Sequence, residues 1–288
     1  MPRVCGDEFC VESTGTLLRG KCFGSGQAMV LLHGGPGCYD YFSESAVVDW
    51  LVETHEVICY DQRGCRGSRS EGPFTIAANV EDLEAIRQFI GAGRVSLLGH
   101  SAGAAMAMHY AATHPERVDR LILVSAAGVR PGWRVVFDAT LRARLTTEQR
   151  EALHRIDRRI MHTPDRAERS ELYRRRFNIV LPCYVDPLHR SRAPVMEHYN
   201  RDVNVQVTAS MKAPYREREW GAGLARLRGR ACIIHGRSDP IPWHVVDDLS
   251  SLLPQAVVFP LEHCGHFPWL EEPAAFRAAL FAFLEKAG

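Results

Sequence analysis

The stretch Leu97-Leu98-Gly99-His100-Ser101-Ala102-Gly103 joins an apolar run to the pattern Gly-x-Ser-x-Gly, and the small residues that follow it suit a helix. A strand that turns sharply into a helix at a serine needs glycine on both sides, because side chains at Gly99 or Gly103 would collide with the neighbouring backbone. The pattern therefore predicts a nucleophile elbow, which exposes the Ser101 hydroxyl on a tight corner. Without the strand and the helix around it, Gly-x-Ser-x-Gly is a weak signal, since loops collect the same residue types.

Buried strands and amphipathic helices alternate along the first part of the chain, after a β-hairpin predicted over residues 8–22. The predicted strands are 28–32, 56–60, 95–98, 120–125 and 231–235. This alternation predicts an α/β fold, a mostly parallel central sheet flanked by helices. The long polar stretch before the last of these strands predicts an inserted helical cap above the carboxyl ends of the strands. We expect a core made of 1–130 and 221–288, and a cap at 131–220.

The bulk properties argue against several classes of protein. A formal net charge of +1 and 46% hydrophobic residues describe an ordinary soluble protein and do not favour a nucleic-acid partner. The nine cysteines are scattered and never spaced as Cys-x-x-Cys, so they predict neither a disulfide framework nor a zinc site, and they favour the reducing cytoplasm. No apolar run approaches the roughly 18 residues that span a bilayer, and no signal peptide is recognisable, so we expect neither membrane insertion nor secretion.

Three residues that follow predicted strands can form a catalytic triad. A serine hydroxyl needs a base to take its proton and a third group to hold that base in the right tautomer. Ser101 and Asp239 follow two of these strands, and His266 follows a further strand predicted at 256–259. Their chain order is the one that accompanies a nucleophile elbow, and the ends of parallel strands share one edge of a sheet. Asp239 could instead start a turn. His263 competes with His266, which we favour because Gly265 frees the backbone to project the ring.

A developing oxyanion needs N–H donors, each worth about 3–4 kcal/mol. The loop His33-Gly34-Gly35-Pro36-Gly37 follows a strand and leaves its backbone bare, although it could also be a plain glycine-rich turn. The N–H groups of Gly35 and of Ala102, which follows the nucleophile, are the predicted donors. His33 is expected to brace its loop. Strand alternation turns His100 to the other face, where we expect it to pack, or to support the site residues without touching the substrate, rather than to act as a base.

Two charged regions are predicted to be solvated surface. Glu81, Asp82 and Glu84 lie on a predicted helix at 75–90, and we assign them to its solvent-facing side. The predicted cap carries 17 Arg and one Lys against 12 Asp and Glu. Such a surplus usually marks a solvated helix surface, but it could also steer acidic substrates or a partner.

Two further motifs, His-Gly-Gly-Pro-Gly at 33–37 and Asp-Gln-Arg-Gly at 61–64, resemble the proline iminopeptidase branch of the α/β-hydrolase superfamily. The resemblance covers nearly the full length outside the cap. It implies an α/β-hydrolase fold, a nucleophile with its acid and base, and two oxyanion donors, at Ser101, Asp239, His266, Gly35 and Ala102. It also implies that the 61–64 loop supports the site, so that Asp61 and Arg63 have structural roles.

The first functional prediction is an aminopeptidase or amidase of the iminopeptidase type, acting through an acyl-enzyme on a small molecule or short peptide. The elbow Gly-His-Ser-Ala-Gly is widespread among esterases, whereas iminopeptidases commonly carry Gly-Gly-Ser-Trp-Gly. An esterase, thioesterase or lactonase for an acidic or specialised metabolite is therefore the alternative, and a ligand receptor without turnover is a third. We predict no cofactor and no metal. No motif identifies the substrate-binding residues or the oligomeric state, although Glu197 is one cap carboxylate that could bind a free amine.

Overall fold

Eight β-strands form one sheet in the order β1-β2-β4-β3-β5-β6-β7-β8. The computed structural model describes residues 6–212 and 217–285. The strands are β1 (Asp7–Ser13), β2 (Thr16–Phe23), β3 (Gln27–Leu32), β4 (His55–Asp61), β5 (Val95–His100), β6 (Val118–Val124), β7 (Arg230–Gly236) and β8 (Val257–Leu261). Strands β4, β3, β5, β6, β7 and β8 run parallel, while β1 and β2 join as an antiparallel edge. The predicted mostly parallel α/β sheet is confirmed.

The opening hairpin forms where the sequence predicts it. Ser13 pairs with Thr16 across β1 and β2, so only two residues make the turn between the strands. Gly15 in this turn has a φ of 73°, a value that favours glycine because it has no Cβ. The hairpin thus places β2 beside β4 at one end of the parallel strands.

Helices lie before, within and after a long insertion between β6 and β7, which we call the inserted segment. The first helices are α1 (Ala46–Leu51), α2 (Ile76–Phe89) and α3 (Ala102–Thr113). The inserted segment contains α4 (Trp133–Arg144), α5 (Thr147–His162), α6 (Arg166–Val180), α7 (Arg201–Lys212) and α8 (Glu217–Leu224). The last helices are α9 (His244–Leu252), α10 (Pro268–Glu271) and α11 (Pro273–Leu284).

The core lies on both faces of the sheet, because successive side chains of a strand point to opposite faces. On β5, Leu97 belongs to the apolar cluster that contains Ala104 of α3, and Leu98 belongs to the cluster that contains Val48 of α1 and Phe276 of α11. Every residue of β5 is buried. Helices on both sides therefore fix the strand that carries the elbow.

The carboxylate of Asp82 is buried, so its predicted place on a solvated face is wrong. Arg63 donates to Asp82 through Nε at 2.7 Å and through Nη2 at 2.6 Å, and neither side chain is exposed. Glu84 also departs from the prediction, since it accepts hydrogen bonds from Arg87 and from the Tyr110 hydroxyl. Helical spacing identified the apolar side of α2, but it could not show that a cation from a distant loop reaches the polar side.

The division into a core and a cap at 131 and 220 remains a prediction. Residues 1–5, 213–216 and 286–288 of those ranges lie outside the described part of the chain. Helix α8 crosses the boundary predicted at 220, and a Cβ added to its Gly223 would lie 2.2 Å from the carbonyl oxygen of Ala112 in α3. Of the helices that the structure describes, none is both long enough and apolar enough to cross a membrane.

Candidate active site

Four loops that follow strands converge at the carboxyl edge of the sheet. Residues 33–37 follow β3, Ser101 follows β5, Asp239 follows β7 and His266 follows β8. Because β3, β5, β6, β7 and β8 are parallel neighbours, their carboxyl ends lie on one edge, which is where open α/β sheets bind ligands. The tertiary structure therefore brings the predicted site residues to the same side of the molecule.

Ser101 lies on a strained corner between β5 and α3. Its φ of 55° and ψ of −117° are values that residues other than glycine rarely adopt. A Cβ added to Gly99 would lie 2.5 Å from the carbonyl oxygen of Gly103, and one added to Gly103 would lie 2.2 Å from that of Leu32. Close approach of the backbone thus requires both glycines, for the steric reason that the sequence suggests.

His266 and Asp239 form a buried hydrogen-bonded pair. Nδ1 of His266 lies 2.9 Å from Oδ2 and 3.1 Å from Oδ1 of Asp239, and the N–H of Ile241 donates to the same Oδ1 at 2.8 Å. Burial by itself would raise the pKa of Asp239, but attraction to His266 and these hydrogen bonds outweigh it, and the pKa lies below its ordinary value. An ionised Asp239 holds the imidazole proton on Nδ1, so Nε2 can accept a proton.

The competing histidine, His263, is exposed, whereas only 3% of the His266 side chain is exposed. Gly265 is needed for a reason that differs from the predicted freedom of the backbone. A Cβ on Gly265 would lie 2.6 Å from the backbone nitrogen of Asp186 and from the carbonyl oxygen of Tyr184. The inserted segment packs directly on the loop that carries His266.

Glu271 holds the backbone of that loop. Its Oε2 accepts from the N–H groups of Gly265 and Asp186, each at 2.7 Å, and its Oε1 accepts from the N–H of Phe267 at 2.8 Å. The residue has no exposed surface, and this burial raises the pKa of its carboxyl group. Glu271 therefore fixes the residues on both sides of His266 and links them to the inserted segment.

Arg144 makes a second link between the inserted segment and the site. Its guanidinium donates to the carbonyl oxygen of Cys183 at 3.0 Å and to that of Ser238, the residue before Asp239, at 2.7 Å. Burial lowers the pKa of Arg144, and the nearby carboxylates of Asp239 and Asp186 oppose that effect. Part of the arginine surplus thus holds the backbone beside the site and is not solvated surface.

The two predicted oxyanion donors, Gly35 and Ala102, line the same cavity as Ser101. Ala102 is the first residue of α3, so its N–H has no acceptor within the helix. The neighbouring N–H of Gly34 is already used, because it donates to the Tyr41 hydroxyl at 2.5 Å. The structure thus places both residues in the wall of the cavity that Ser101 lines.

His33 and His100 have hydrogen-bond partners of their own. His33 bonds through Nδ1 to the carbonyl oxygen of Gly34 at 3.0 Å and through Nε2 to the N–H of Gln62 at 3.3 Å, so it braces its loop against residues 61–64. His100 faces the site and does not point away from it, since its ring centroid lies 4.7 Å from that of His266. Burial lowers the pKa of both His33 and His100, which keeps these rings neutral.

The cavity beside Ser101 has a volume of about 130 Å³ and is mainly apolar and aromatic. The inserted segment contributes Trp133, Phe137, Phe177, Leu181, Tyr184 and Met196 to its wall. Among the described residues that line it, none is Asp or Glu. The guanidinium of Arg134 lies at the wall, 5.6 Å from the ring centroid of Trp133 and 5.5 Å from that of Phe137.

Glu197, the carboxylate that the sequence offered for binding a free amine, lies elsewhere. Its side chain is 67% exposed, its carboxylate lies 3.8 Å from the guanidinium of Arg66, and it is not among the described residues that line the cavity. Tyr41, Arg144 and Glu271 were missed by the sequence analysis, because they belong to no motif. Their only signal is position: Tyr41 follows the 33–37 loop and Glu271 follows His266 by five residues.

Acyl transfer requires a nucleophile, a base held in the right orientation, and N–H donors for the oxyanion. The site contains a hydroxyl on a strained corner, an imidazole hydrogen-bonded to a carboxylate, and the two residues that carry the predicted donors. A sequence model of the α/β-hydrolase fold matches residues 27–273 of the chain. A proline iminopeptidase from Heyndrickxia coagulans is 26% identical over 289 residues, which cover 91% of each chain.

Two solved structures illustrate the likeness of the fold. An esterase from Exiguobacterium antarcticum has a TM-score of 0.68 at 19% identity, with 97% of this chain and 100% of that chain covered. The 2-hydroxy-6-oxo-6-phenylhexa-2,4-dienoate hydrolase from Rhodococcus sp. strain RHA1 has a TM-score of 0.69 at 23% identity, with 98% and 100% covered. Together with the strand order and the family match, these likenesses confirm the predicted fold and superfamily: the chain belongs to the α/β-hydrolase fold family.

Proposed function

We propose that the protein is a serine hydrolase that acts through an acyl-enzyme. Ser101 is the nucleophile, His266 is the general base and acid, and Asp239 orients His266. The observation that carries this proposal is the buried hydrogen bond between His266 and Asp239 at the wall of the cavity that Ser101 also lines. Membership of a hydrolase family supports it.

In the proposed reaction, Nε2 of His266 takes the hydroxyl proton as Oγ of Ser101 attacks the carbonyl carbon of the substrate. The carbonyl oxygen becomes negative and accepts hydrogen bonds from the N–H groups of Gly35 and Ala102. His266 then gives its proton to the leaving group as the bond between that group and the acyl carbon breaks. A water molecule attacks the acyl-enzyme, its proton passes to His266, and Ser101 leaves with that proton.

The largely apolar and aromatic cavity wall favours an ester with an apolar acyl group, which supports the esterase alternative. An ammonium group in this cavity would lose hydration without gaining a carboxylate partner, and the guanidinium of Arg134, which already faces the rings of Trp133 and Phe137, would repel it. A cavity of about 150 Å³ holds a benzene molecule, so one of this size suits an aromatic ring or a short alkyl chain. Arg134 would add preference for an acyl group that ends in a carboxylate.

An aminopeptidase of the iminopeptidase type is the second candidate. It is favoured by the curated iminopeptidase that matches over nine-tenths of its length, and by the 33–37 and 61–64 motifs. Under this proposal the amine of the substrate would have to be held by groups other than a cavity carboxylate, since the described lining residues include none.

Hydrolysis of p-nitrophenyl acetate and benzoate, beside prolyl and alanyl p-nitroanilides, separates the two candidates. We expect ester turnover that Ser101→Ala abolishes, and little release from the anilides. Release of p-nitroaniline from a free-amine anilide, lost when the amine is acetylated, would favour the peptidase over the esterase as the function. Turnover that survives in Ser101→Ala would overturn the mechanism itself.

Two adjacent residues of α4 test whether the cavity binds the acyl group. Phe137 lines the cavity, whereas Val136 is exposed. We expect Phe137→Ala to shift preference toward longer acyl chains, because truncation enlarges the cavity, and Val136→Ala to leave the preference unchanged. Arg134→Gln should reduce kcat/KM for an ester whose acyl group ends in a carboxylate, and leave its neutral analogue unaffected.

We propose a small molecule or short peptide as the substrate, a cytoplasmic location, and a cap formed by residues 131–220. The eight cysteines that lie in the described part of the chain are free, in keeping with a reducing compartment. The helices of the inserted segment supply a large share of the cavity wall, as expected of a cap.

A further inference from the structure

Tyr41 and His100 form an unbroken hydrogen-bond chain between the 33–37 loop and the loop of His266. The N–H of Gly34 donates to the Tyr41 hydroxyl at 2.5 Å. That hydroxyl lies 2.6 Å from Nδ1 of His100, and Nε2 of His100 lies 2.7 Å from the carbonyl oxygen of His266. The chain therefore joins the loop of one proposed oxyanion donor to the backbone of the proposed base.

One arrangement of protons satisfies every member of this chain. The carbonyl oxygen of His266 can only accept, so His100 carries its proton on Nε2. Nδ1 of the neutral ring then accepts from the Tyr41 hydroxyl, whose oxygen in turn accepts from Gly34. Burial favours the neutral forms that this arrangement uses, since it lowers the pKa of His100 well below its ordinary value and raises that of Tyr41.

Aromatic rings enclose the chain. Trp269 meets His100 edge-on with the ring centroids 4.8 Å apart and stacks on Tyr41 at 6.0 Å, while Phe267 lies 5.3 Å from His100. His100 is only 1% exposed. Tyr41 is partly exposed and both side chains line the cavity beside Ser101, so it is the buried ring of His100 that depends most on its partners in the chain, and losing one leaves the next unsatisfied.

We propose that Tyr41 and His100 are positioning residues, which hold the 33–37 loop and His266 at the separation that the tetrahedral intermediate requires. The inference rests on the proposed function of Ser101, His266 and Asp239. Gly34 is anchored one residue before Gly35, so the anchor restricts where the N–H of Gly35 can lie. At the other end, the bond to the carbonyl oxygen of His266 restrains the backbone from which the imidazole projects.

A neutral His100 also suits the charge that develops during the reaction. His266 becomes an imidazolium when it takes the serine proton, and its ring lies against that of His100. A second positive charge at this distance would oppose the proton transfer. The hydrogen bond from the Tyr41 hydroxyl occupies Nδ1 of His100 and so disfavours a proton there.

The test compares Tyr41→Phe, His100→Leu, His100→Gln and the double variant Tyr41→Phe/His100→Leu. The assay is hydrolysis of p-nitrophenyl acetate, with active sites counted by a fluorophosphonate probe and thermal unfolding measured alongside. Tyr39→Phe is the matched control, because it removes a hydroxyl from the same loop at a residue that does not line the cavity.

We expect Tyr41→Phe and His100→Leu each to lower kcat by about tenfold or more with KM changed less than twofold, since small misplacements of reacting groups reduce the rate and not the binding. The double variant should be no slower than His100→Leu, because both changes break one chain. His100→Gln should recover most of kcat, since its amide can donate to the carbonyl oxygen of His266. Tyr39→Phe should match the unaltered protein.

Three results would overturn the inference: kcat within twofold in both single variants, a change confined to KM, or a loss that His100→Gln leaves uncorrected. Assays of the unaltered protein distinguish a failure of this inference from a failure of the proposed function. In that case the fluorophosphonate would not label Ser101 and ester turnover would be absent before any change at Tyr41 or His100.

Discussion

The carboxylate of Glu271 accepts hydrogen bonds from the backbone N–H groups of the two residues that flank His266. Replacing it by alanine leaves three buried donors without an acceptor, the third being the N–H of Asp186 in the inserted segment. We expect Glu271→Ala to reduce the free energy of unfolding by about 3–5 kcal/mol and to lower kcat, as measured by urea denaturation and ester hydrolysis.

Glu271→Gln should be milder, because an amide oxygen can still accept from Gly265 and Asp186. Glu272 provides the control, since this adjacent carboxylate is partly exposed and bonds only to His189 among the described side chains. Glu272→Ala is expected to change stability by less than about 1 kcal/mol. Equal losses in Glu271→Ala and Glu272→Ala would contradict the assigned role.

Replacing Ser101 by alanine or by glycine separates the role of its hydroxyl in catalysis from the backbone strain at this position. Both Ser101→Ala and Ser101→Gly should lack ester turnover. Glycine tolerates the φ of 55° without a Cβ penalty, so Ser101→Gly should be more stable than Ser101→Ala by about 1–2 kcal/mol, despite the greater entropy of an unfolded glycine. Thermal unfolding of the two inactive variants measures the difference. An alanine variant that is the more stable would show that the corner is unstrained.

Gly93 is a control position for the elbow glycine Gly103. A Cβ on Gly103 would lie 2.2 Å from the carbonyl oxygen of Leu32, whereas a Cβ on Gly93 would meet no heavy atom within 4 Å. Gly103→Ala must therefore shift the backbone of β3 or α3, and we expect little folded protein and no labelling of Ser101. Gly93→Ala should be as stable as the unaltered protein. Soluble, active Gly103→Ala would contradict the packing described for the elbow.

Stability should fall as the pH decreases from 7.5 to 5.5. Burial lowers the pKa of His33, His100 and His235, so below the ordinary histidine pKa of 6.5 the unfolded chain binds protons that the folded protein does not. Each group then contributes full stability above about pH 6.5 and loses up to roughly 1.4 kcal/mol per pH unit below it. Urea denaturation across this range gives the slope.

His235→Gln should reduce this slope, because the amide removes one titrating ring but can keep the hydrogen bond to the carbonyl oxygen of Ile241. His154, which is exposed, supplies the control, and His154→Gln should leave the slope unchanged. If both variants give the slope of the unaltered protein, buried neutral histidines do not cause the pH dependence.

Local patterns predicted the fold and the location of the candidate site. The elbow requires glycines on both sides of Ser101 and an apolar strand before it. These are short-range requirements, so a few adjacent residues are enough to identify them. Chain order then placed Asp239 and His266 at strand ends on the edge where Ser101 lies. The same reasoning failed for Asp82 and misplaced His100, since both depend on partners from distant loops.

Sequence by itself determined the α/β architecture, the elbow and the identities of the proposed triad, because steric rules and the periodicity of burial act between near neighbours. Only the tertiary structure decided that Glu271 fixes the His266 loop, that Tyr41 and His100 join two loops, and that no described cavity residue is acidic. These properties depend on which side chains meet after distant segments pack. Hydrogen bonds and cavity walls of that kind leave no periodic trace along the chain.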